Sequence, residues 1–262
     1  MTPKLVATDL DGTLVRADGS VSDYTRSVLA ALEARGVPVI FVTGRPLRWT
    51  EVVFEHVGSL GLAIVSNGAL VWDVAAETPR LERAISADLA LRVCEVIREA
   101  VPGSAFAVET IHGFAMEPHY VRHQLDGEAR RAPIEELVDE PLLKLLARHE
   151  ELPAEDYWAQ VEKATGDLVT VTWSSTTALL EISAPGVTKA STLALVCDEL
   201  GVAAQDVIAF GDMPNDLPML TWAGTSYAMA DAHPSVVACA THLAPSHEDD
   251  GVARVLAGVF AL

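Results

Sequence analysis

Short apolar runs recur between stretches of helical periodicity in this 262-residue chain, and each run stops on a polar cluster. Residues 4–10 read Lys-Leu-Val-Ala-Thr-Asp-Leu and lead into Asp11 and Gly12. A run that short, closed by turn residues, predicts a buried strand followed by a tight turn. Ser22 as a cap, Tyr24, Val28, Leu29 and Leu32 at helical spacing, and Gly36 as the stop then predict a helix. Val39 to Val42 predicts a second strand, running into Thr43, Gly44 and Arg45. Pro46 opens a helix expected to reach about Val57, and residues 62–66 predict a third strand ending on Asn67 and Gly68. Strand and helix alternating at this spacing predict parallel crossovers, hence an α/β fold with a doubly wound, parallel-sheet, Rossmann-like core.

After about Glu82 the rhythm changes. A helix over about 87–100, capped by Ser86, is followed by apolar runs at 105–109, 114–117, 142–147, 168–173 and 179–183, with one helix around 154–164. Strands that follow one another with few crossovers predict an α+β unit. The parallel pattern resumes past Pro185 with a helix from Lys189 to Leu200 and a strand over 207–210 that ends in Gly211 and Asp212. The expected organisation is therefore one domain made of residues 1–83 and 186–262, with an α+β domain of residues 84–185 inserted into it.

Charge narrows the partners. The chain holds 37 acidic against 18 basic residues, a net of −19, which opposes nucleic acid polymers and anionic membrane surfaces. The insert is as acidic as the rest, so any anion that binds is expected to be small and held locally. Three cysteines, Cys94, Cys197 and Cys239, without Cys-x-x-Cys spacing read as buried thiols in a reducing compartment and imply no zinc site. With no signal-peptide pattern and no apolar run near the ~18 residues of a spanning helix, the expected location is the cytoplasm, as a soluble protein. Oligomeric state is not readable.

Ligands of an open parallel sheet collect beyond the carboxyl ends of its strands. Four such ends carry polar residues here: Asp9 with Asp11, Thr43 with Gly44, Asn67 with Gly68, and Asp212 with Asn215 and Asp216. Converging carboxylates are the hard oxygen donors that Mg²⁺ takes, with its remaining positions left for water or phosphate. Thr43, the amide of Gly44 and the charge of Lys189 suit phosphate oxygens. An aspartate is ionised at neutral pH and needs no base to act as a nucleophile, and a neighbouring carboxyl can carry the leaving group's proton.

Asp-Leu-Asp-Gly-Thr-Leu at 9–14, Val-Thr-Gly-Arg at 42–45, Lys189 opening a helix, and Gly-Asp-Met-Pro-Asn-Asp at 211–216 resemble, in order, the four motifs of the haloacid dehalogenase-like (HAD) phosphatase superfamily. The insert between the second and third motifs, with Ser-Asn-Gly-Ala at 66–69 and Asp-Asp-Gly-Val-Ala at 249–253, is similar to the Cof-type subfamily with its type IIB cap. The resemblance implies Asp9 as nucleophile and metal ligand, and Asp11 as general acid and base that touches the metal through its main-chain carbonyl. It implies Asp212 as the third protein ligand of Mg²⁺, with Asp216 ligating directly or through water. Thr43, Gly44, the backbone of Leu10, Lys189 and Asn215 are implied in binding phosphate. The function so implied is hydrolysis of a small phosphorylated metabolite (a sugar phosphate, nucleotide or cofactor phosphate) through an aspartyl-phosphate on Asp9.

Two other readings use the same residues: phosphoryl transfer to an acceptor other than water, as in a mutase, and a receiver-like signalling module phosphorylated on Asp. Neither the inserted domain nor the second acid two residues after the first is expected of a receiver. In the insert, His112, His119, Tyr120, Arg122, His123, Arg130 and Arg131 are candidates for contacts to a leaving group, with no metal assigned to them. The tryptophans, Trp49, Trp72, Trp158, Trp173 and Trp222, are expected in core or interface packing. Asn67 reads foremost as a turn residue before Gly68.

Overall fold

The computed structural model describes residues 2–50, 53–54, 61–121, 129–173 and 177–262. The chain divides into two compact units, Met1–Leu81 with Thr188–Leu262, and Glu82–Val187.

The first unit is built on an eight-stranded sheet in the order β14-β13-β12-β1-β2-β3-β4-β5. Its strands are β1 (Leu5–Thr8), β2 (Val39–Val42), β3 (Leu62–Val65), β4 (Leu70–Asp73), β5 (Thr78–Glu82), β12 (Val207–Gly211), β13 (Thr225–Met229) and β14 (His242–Ala244). The six strands from β14 to β3 run parallel, and β4 turns back antiparallel on β3. The central strands are apolar but for Thr8, Leu-Val-Ala-Thr in β1 and Val-Ile-Phe-Val in β2, and every one of these residues is buried. That is the composition of strands covered on both faces, which parallel crossovers require. One apolar layer joins Leu5, Ala7, Ile40, Val42, Ile64 and Ala209 of the sheet to Leu193, Val196 and Cys197 of helix α5 (Lys189–Leu200).

From β1 the chain proceeds to β2 and β3 on one side. After the insert it returns to β12 on the other side and continues outward to β13 and β14. The strand order thus reverses between β1 and β12, and the crevice beyond their carboxyl ends is the topological switch point where ligands bind in open α/β sheets.

Helix α1 (Asp23–Ala34) begins where predicted, with the Ser22 side chain accepting from the Thr25 amide. The helix expected after Pro46 is a 3-10 turn at Leu47–Trp49 with Val53 and Phe54 helical further on; the rest of its span lies outside the described residues. Trp49 is 37% exposed with the Arg48 guanidinium over its ring, so of the core or interface packing expected of it, the core placement does not hold. Cys94 and Cys197 are buried free thiols, whereas Cys239 is half-buried.

The second unit carries a six-stranded sheet, β10-β11-β9-β6-β7-β8, comprising β6 (Ala105–Thr110), β7 (Gly113–Met116), β8 (Arg130–Arg131), β9 (Lys144–Arg148), β10 (Thr170–Thr172) and β11 (Leu179–Ser183). All its pairings are antiparallel except β7 with β8. Helices α2 (Ala87–Ala100) and α4 (Ala154–Thr165) pack on each other, and α3 (Ile134–Leu137) is a single turn. Arg98 of α2 lies over the ring of Phe106 in β6, so that ring marks the face of the sheet the helices cover. Among the described residues no helix is long and apolar enough to cross a membrane.

Candidate active site

β1 and β12 pair in register, Thr8 opposite Phe210, and the Asp9 amide donates to the Phe210 carbonyl at 3.1 Å. This brings the residues after both strands to the same level. The turn after β1 closes on the Leu10 carbonyl, which accepts from the amides of Leu14 and Val15 at 2.9 and 2.8 Å. Gly12 sits inside that turn with φ +69°, and a Cβ there would stand 2.4 Å from Asp212 Oδ2. Only glycine offers both that backbone geometry and that approach. On the far side of the turn, the Thr13 hydroxyl donates to Asp212 Oδ1 at 3.0 Å.

Lys189 is the first residue of α5. Its helix start is fixed by a reciprocal cap: Thr188 Oγ1 accepts from the Ser191 amide, and Ser191 Oγ accepts from the Thr188 amide, both at 3.0 Å. A cation at this end of a helix is opposed by the helix dipole, and Lys189 is only 1% exposed. What holds it is a pair of carboxylates: Lys189 Nζ donates to Asp9 Oδ1 at 2.7 Å and to Asp216 Oδ1 at 2.6 Å. Burial disfavours its charge, but Asp216 and Asp9 together keep its ammonium above the ordinary lysine range. Asp216 is wholly committed, since its Oδ2 accepts from the amides of Asp212 and Met213, each at 3.1 Å.

Asp9, Asp212 and Asp216 each offer one carboxylate oxygen to a cluster in which these oxygens lie within 4.8 Å of one another. Three acids against one lysine leave an excess of negative charge in a buried crevice. Burial pushes the Asp9 carboxyl well above its ordinary range, against the pull of Lys189 and with Asp216 and Asp212 raising it further. Burial, then Asp216, pushes Asp212 up to about 7. A divalent cation relieves this repulsion, and hard oxygen donors in this number suit Mg²⁺. The donor set therefore fits the metal, with Asp9 and Asp212 the freer ligands and Asp216 restrained by Lys189 and two amides.

Asp11 is placed differently. Its carboxylate is 61% exposed and outside the acidic cluster, and both its oxygens accept from Arg45, Nε at 2.7 Å and a terminal nitrogen at 2.5 Å. Arg45 in turn donates to the Trp49 carbonyl at 3.1 Å. Thr43, buried at the end of β2, accepts on Oγ1 from the Arg45 amide at 3.0 Å, which leaves its own hydroxyl proton for another acceptor; Gly44 lies between them. Asn215, in the 3-10 turn Pro214–Asp216, donates from Nδ2 to Asn67 Oδ1 at 3.1 Å.

Thr13 and Arg45 were part of recognisable motifs but carried no expected role. Their partners lie 199 and 34 positions away, and nothing local to either residue points to them. In the second unit, Tyr120 is buried in an apolar cluster with Ala107 and Met116. His112 and His119 are exposed, while Arg130 donates to the Glu136 carbonyl and Arg131 to that of Pro118. Arg122 and His123 lie outside the described residues.

The model of the haloacid dehalogenase-like hydrolase family matches residues 6–256. The 5-amino-6-(5-phospho-D-ribitylamino)uracil phosphatase YitU of Bacillus subtilis is 29% identical, over 99% of this chain and 98% of its own. An HMP-PP phosphatase of an Enterobacter species is 28% identical, over 92% and 89%. Among solved structures, SMU.1108c of Streptococcus mutans superposes with a TM-score of 0.87 at 22% identity, each chain covered in full.

Proposed function

The chain belongs to the haloacid dehalogenase-like hydrolase family, and from that premise we propose that it is a Mg²⁺-dependent phosphatase of small phosphorylated metabolites, with residues 84–185 serving as a type IIB cap. The observation that carries the reading is the sharing of one buried ammonium, Lys189, between Asp9 and Asp216 at the switch point of the sheet. A fixed positive charge beside a carboxylate at that place suits attack of the carboxylate on an anionic phosphoryl group.

In the first step an Asp9 oxygen attacks phosphorus, the bond from phosphorus to the leaving-group oxygen breaks, and that oxygen takes a proton from Asp11. In the second, water attacks the same phosphorus, its proton passes to Asp11, the bond to Asp9 breaks, and inorganic phosphate leaves. Lys189, the Thr43 hydroxyl, the amides of Leu10 and Gly44, and the Asn215 side chain stabilise the charge spread over the phosphoryl oxygens. Asp9, Asp212, the main-chain carbonyl of Asp11 and, directly or through water, Asp216 would hold Mg²⁺, which would supply further neutralisation of that charge.

Both relatives named above are phosphatases of compounds that carry a phosphoryl group on a small organic body. A phosphate-release screen over phosphorylated metabolites, with 5-amino-6-(5-phospho-D-ribitylamino)uracil in the panel, tests the proposal. Release is expected with Mg²⁺ and without an added acceptor, and it stops in excess chelator. Transfer to an acceptor without release, or a stable phosphoprotein without turnover, argues for the mutase or the signalling reading instead.

A further inference from the structure

The turn that follows β3 is the most strained piece of backbone beside the site. Ser66 and Asn67, neither of them glycine, have φ of +51° and +56°, and Gly68 follows at +104°. All three are buried. Two successive side chains in the left-handed region persist only where the surroundings over-determine them, and such places concentrate at functional sites.

The surroundings here are the segments that carry the chemistry. The Ser66 amide donates to the Arg45 carbonyl at 2.9 Å and the Asn67 amide to the Thr43 carbonyl at 3.0 Å, which ties the turn to the end of β2. The Gly68 carbonyl accepts from Thr192 Oγ1 at 2.7 Å, and a Cβ on Gly68 would stand 2.4 Å from the Thr188 carbonyl, which ties the turn to the first turns of α5. The third tie is the side chain of Asn67, whose Oδ1 accepts from Asn215 Nδ2.

That last bond has a consequence for an amide. A carboxamide offers oxygen on one side and nitrogen on the other, and its two orientations differ little in shape. An acceptor fixed at Asn67 Oδ1 selects the orientation of Asn215 in which nitrogen faces the turn, and the same nitrogen keeps a second N–H. Asn215 Oδ1 is buried without a hydrogen-bond partner among the described residues, so nothing on its oxygen side competes for that choice. Turned over, Asn215 would present a carbonyl oxygen where an N–H is needed to meet an anion.

We propose that Asn67 is a positioning residue: from a strained turn it sets the orientation of the Asn215 amide so that its free N–H faces the substrate phosphoryl group. This rests on the phosphatase reading and on the phosphate-binding role given there to Asn215.

The test is a cycle of Asn67→Gly, Asn215→Ala and the double variant, each read as the inhibition constant for inorganic phosphate, as KM and kcat, and as melting temperature. Glycine adopts the left-handed conformation freely, so Asn67→Gly removes the side chain with little cost to the turn. Asn67→Ser, which keeps a hydroxyl but loses the reach, is the second truncation. Both are expected to weaken phosphate binding roughly tenfold, the scale of one hydrogen bond to a charged group, with KM rising more than kcat falls and the melting point retained. In the Asn215→Ala background, Asn67→Gly should have no further effect. Phosphate affinity unchanged in both truncations, or losses that multiply in the double variant, overturns the inference. A wild-type chain that neither binds phosphate nor releases it from any ester overturns the phosphatase reading itself, and this inference with it.

Discussion

Both oxygens of Asp11 are gripped by one guanidinium, that of Arg45, at 2.7 and 2.5 Å. A carboxyl that passes a proton to a leaving group must free at least one of those oxygens, so in the proposed mechanism Arg45 would govern where Asp11 rests and when it can act. Pairing with Asp11, set against partial burial, holds the guanidinium above its ordinary range, so Arg45 stays charged throughout the working pH. Lysine cannot reproduce the two-pronged geometry. Arg45→Lys is expected to lower kcat by ~10-fold to 100-fold on alkyl phosphates, part of the ~100-fold to 10,000-fold that one general acid contributes. The loss should be much smaller on an activated aryl phosphate, whose leaving group needs no proton. Steady-state kinetics on the two ester classes checks this; equal losses would place Arg45 in phosphate binding instead.

Asp9→Asn keeps the size of the side chain and removes the charge. Lys189 retains Asp216 as its partner at 2.6 Å, so the buried ammonium is not stranded. The variant is expected to fold, with a circular dichroism spectrum like that of the parent, and to lose at least ~1,000-fold in kcat, since an amide is no nucleophile towards phosphorus. Substantial residual turnover removes Asp9 from the role of nucleophile.

The parallel core was legible because β1, β2, β3 and β12 are continuous apolar runs closed by turn residues, and this is the signature of strands buried on both faces. β5 was not: Thr-Pro-Arg-Leu-Glu is exposed at every position, so no pattern of burial is written into it. β8, two arginines long, is defined only by its neighbour β7. At the site, the acids and the lysine were readable as residue types at strand ends and a helix start. Their pairing was not, because it arises between Asp9, Lys189 and Asp216, positions far apart in the chain. The same holds for Asn67, which local rules place in a turn and whose side chain serves Asn215, 148 positions away.

Asp212 carries a pH dependence of definite sign. Its folded value is pushed up to about 7, against 3.8 ordinarily, by burial and then by Asp216. The metal-free folded state therefore binds more protons than the unfolded state between those values, so its stability falls as pH rises across that window. Its contribution is fully present below about pH 4 and lost above about 7, and Asp9, raised for the same reason, acts in the same direction. Mg²⁺ held by the ionised carboxylates, as proposed, would compete with these protons. Thermal melts in chelator and in Mg²⁺ should show a metal-dependent rise in melting temperature that is small at pH 5 and large at pH 8. A rise independent of pH would mean the cation binds elsewhere.

Gly12 tests whether the turn after β1 is built around Asp212. An alanine there adopts φ +69° at a cost of about 1–2 kcal/mol. Its methyl group would also fall 2.4 Å from Asp212 Oδ2, the oxygen not used by Thr13. Two relaxations are open: the turn moves, or the carboxylate swings away from the cluster it shares with Asp9 and Asp216. The carboxylate is the softer of the two, because the turn is fastened to the Leu10 carbonyl by the amides of Leu14 and Val15. Gly12→Ala is therefore expected to weaken Mg²⁺ binding by ~10-fold or more, the range over which displaced ligand geometry acts, while lowering stability only by the backbone cost. Gly19→Ala has a comparable φ of +84° but meets nothing within 4 Å, so it should show the backbone cost alone. Titration of Mg²⁺ by calorimetry on both variants, alongside urea unfolding, separates the two contributions. Equal Mg²⁺ affinities in the two variants would show that the methyl group, and with it the close approach of Gly12 to Asp212, does not matter to the metal site.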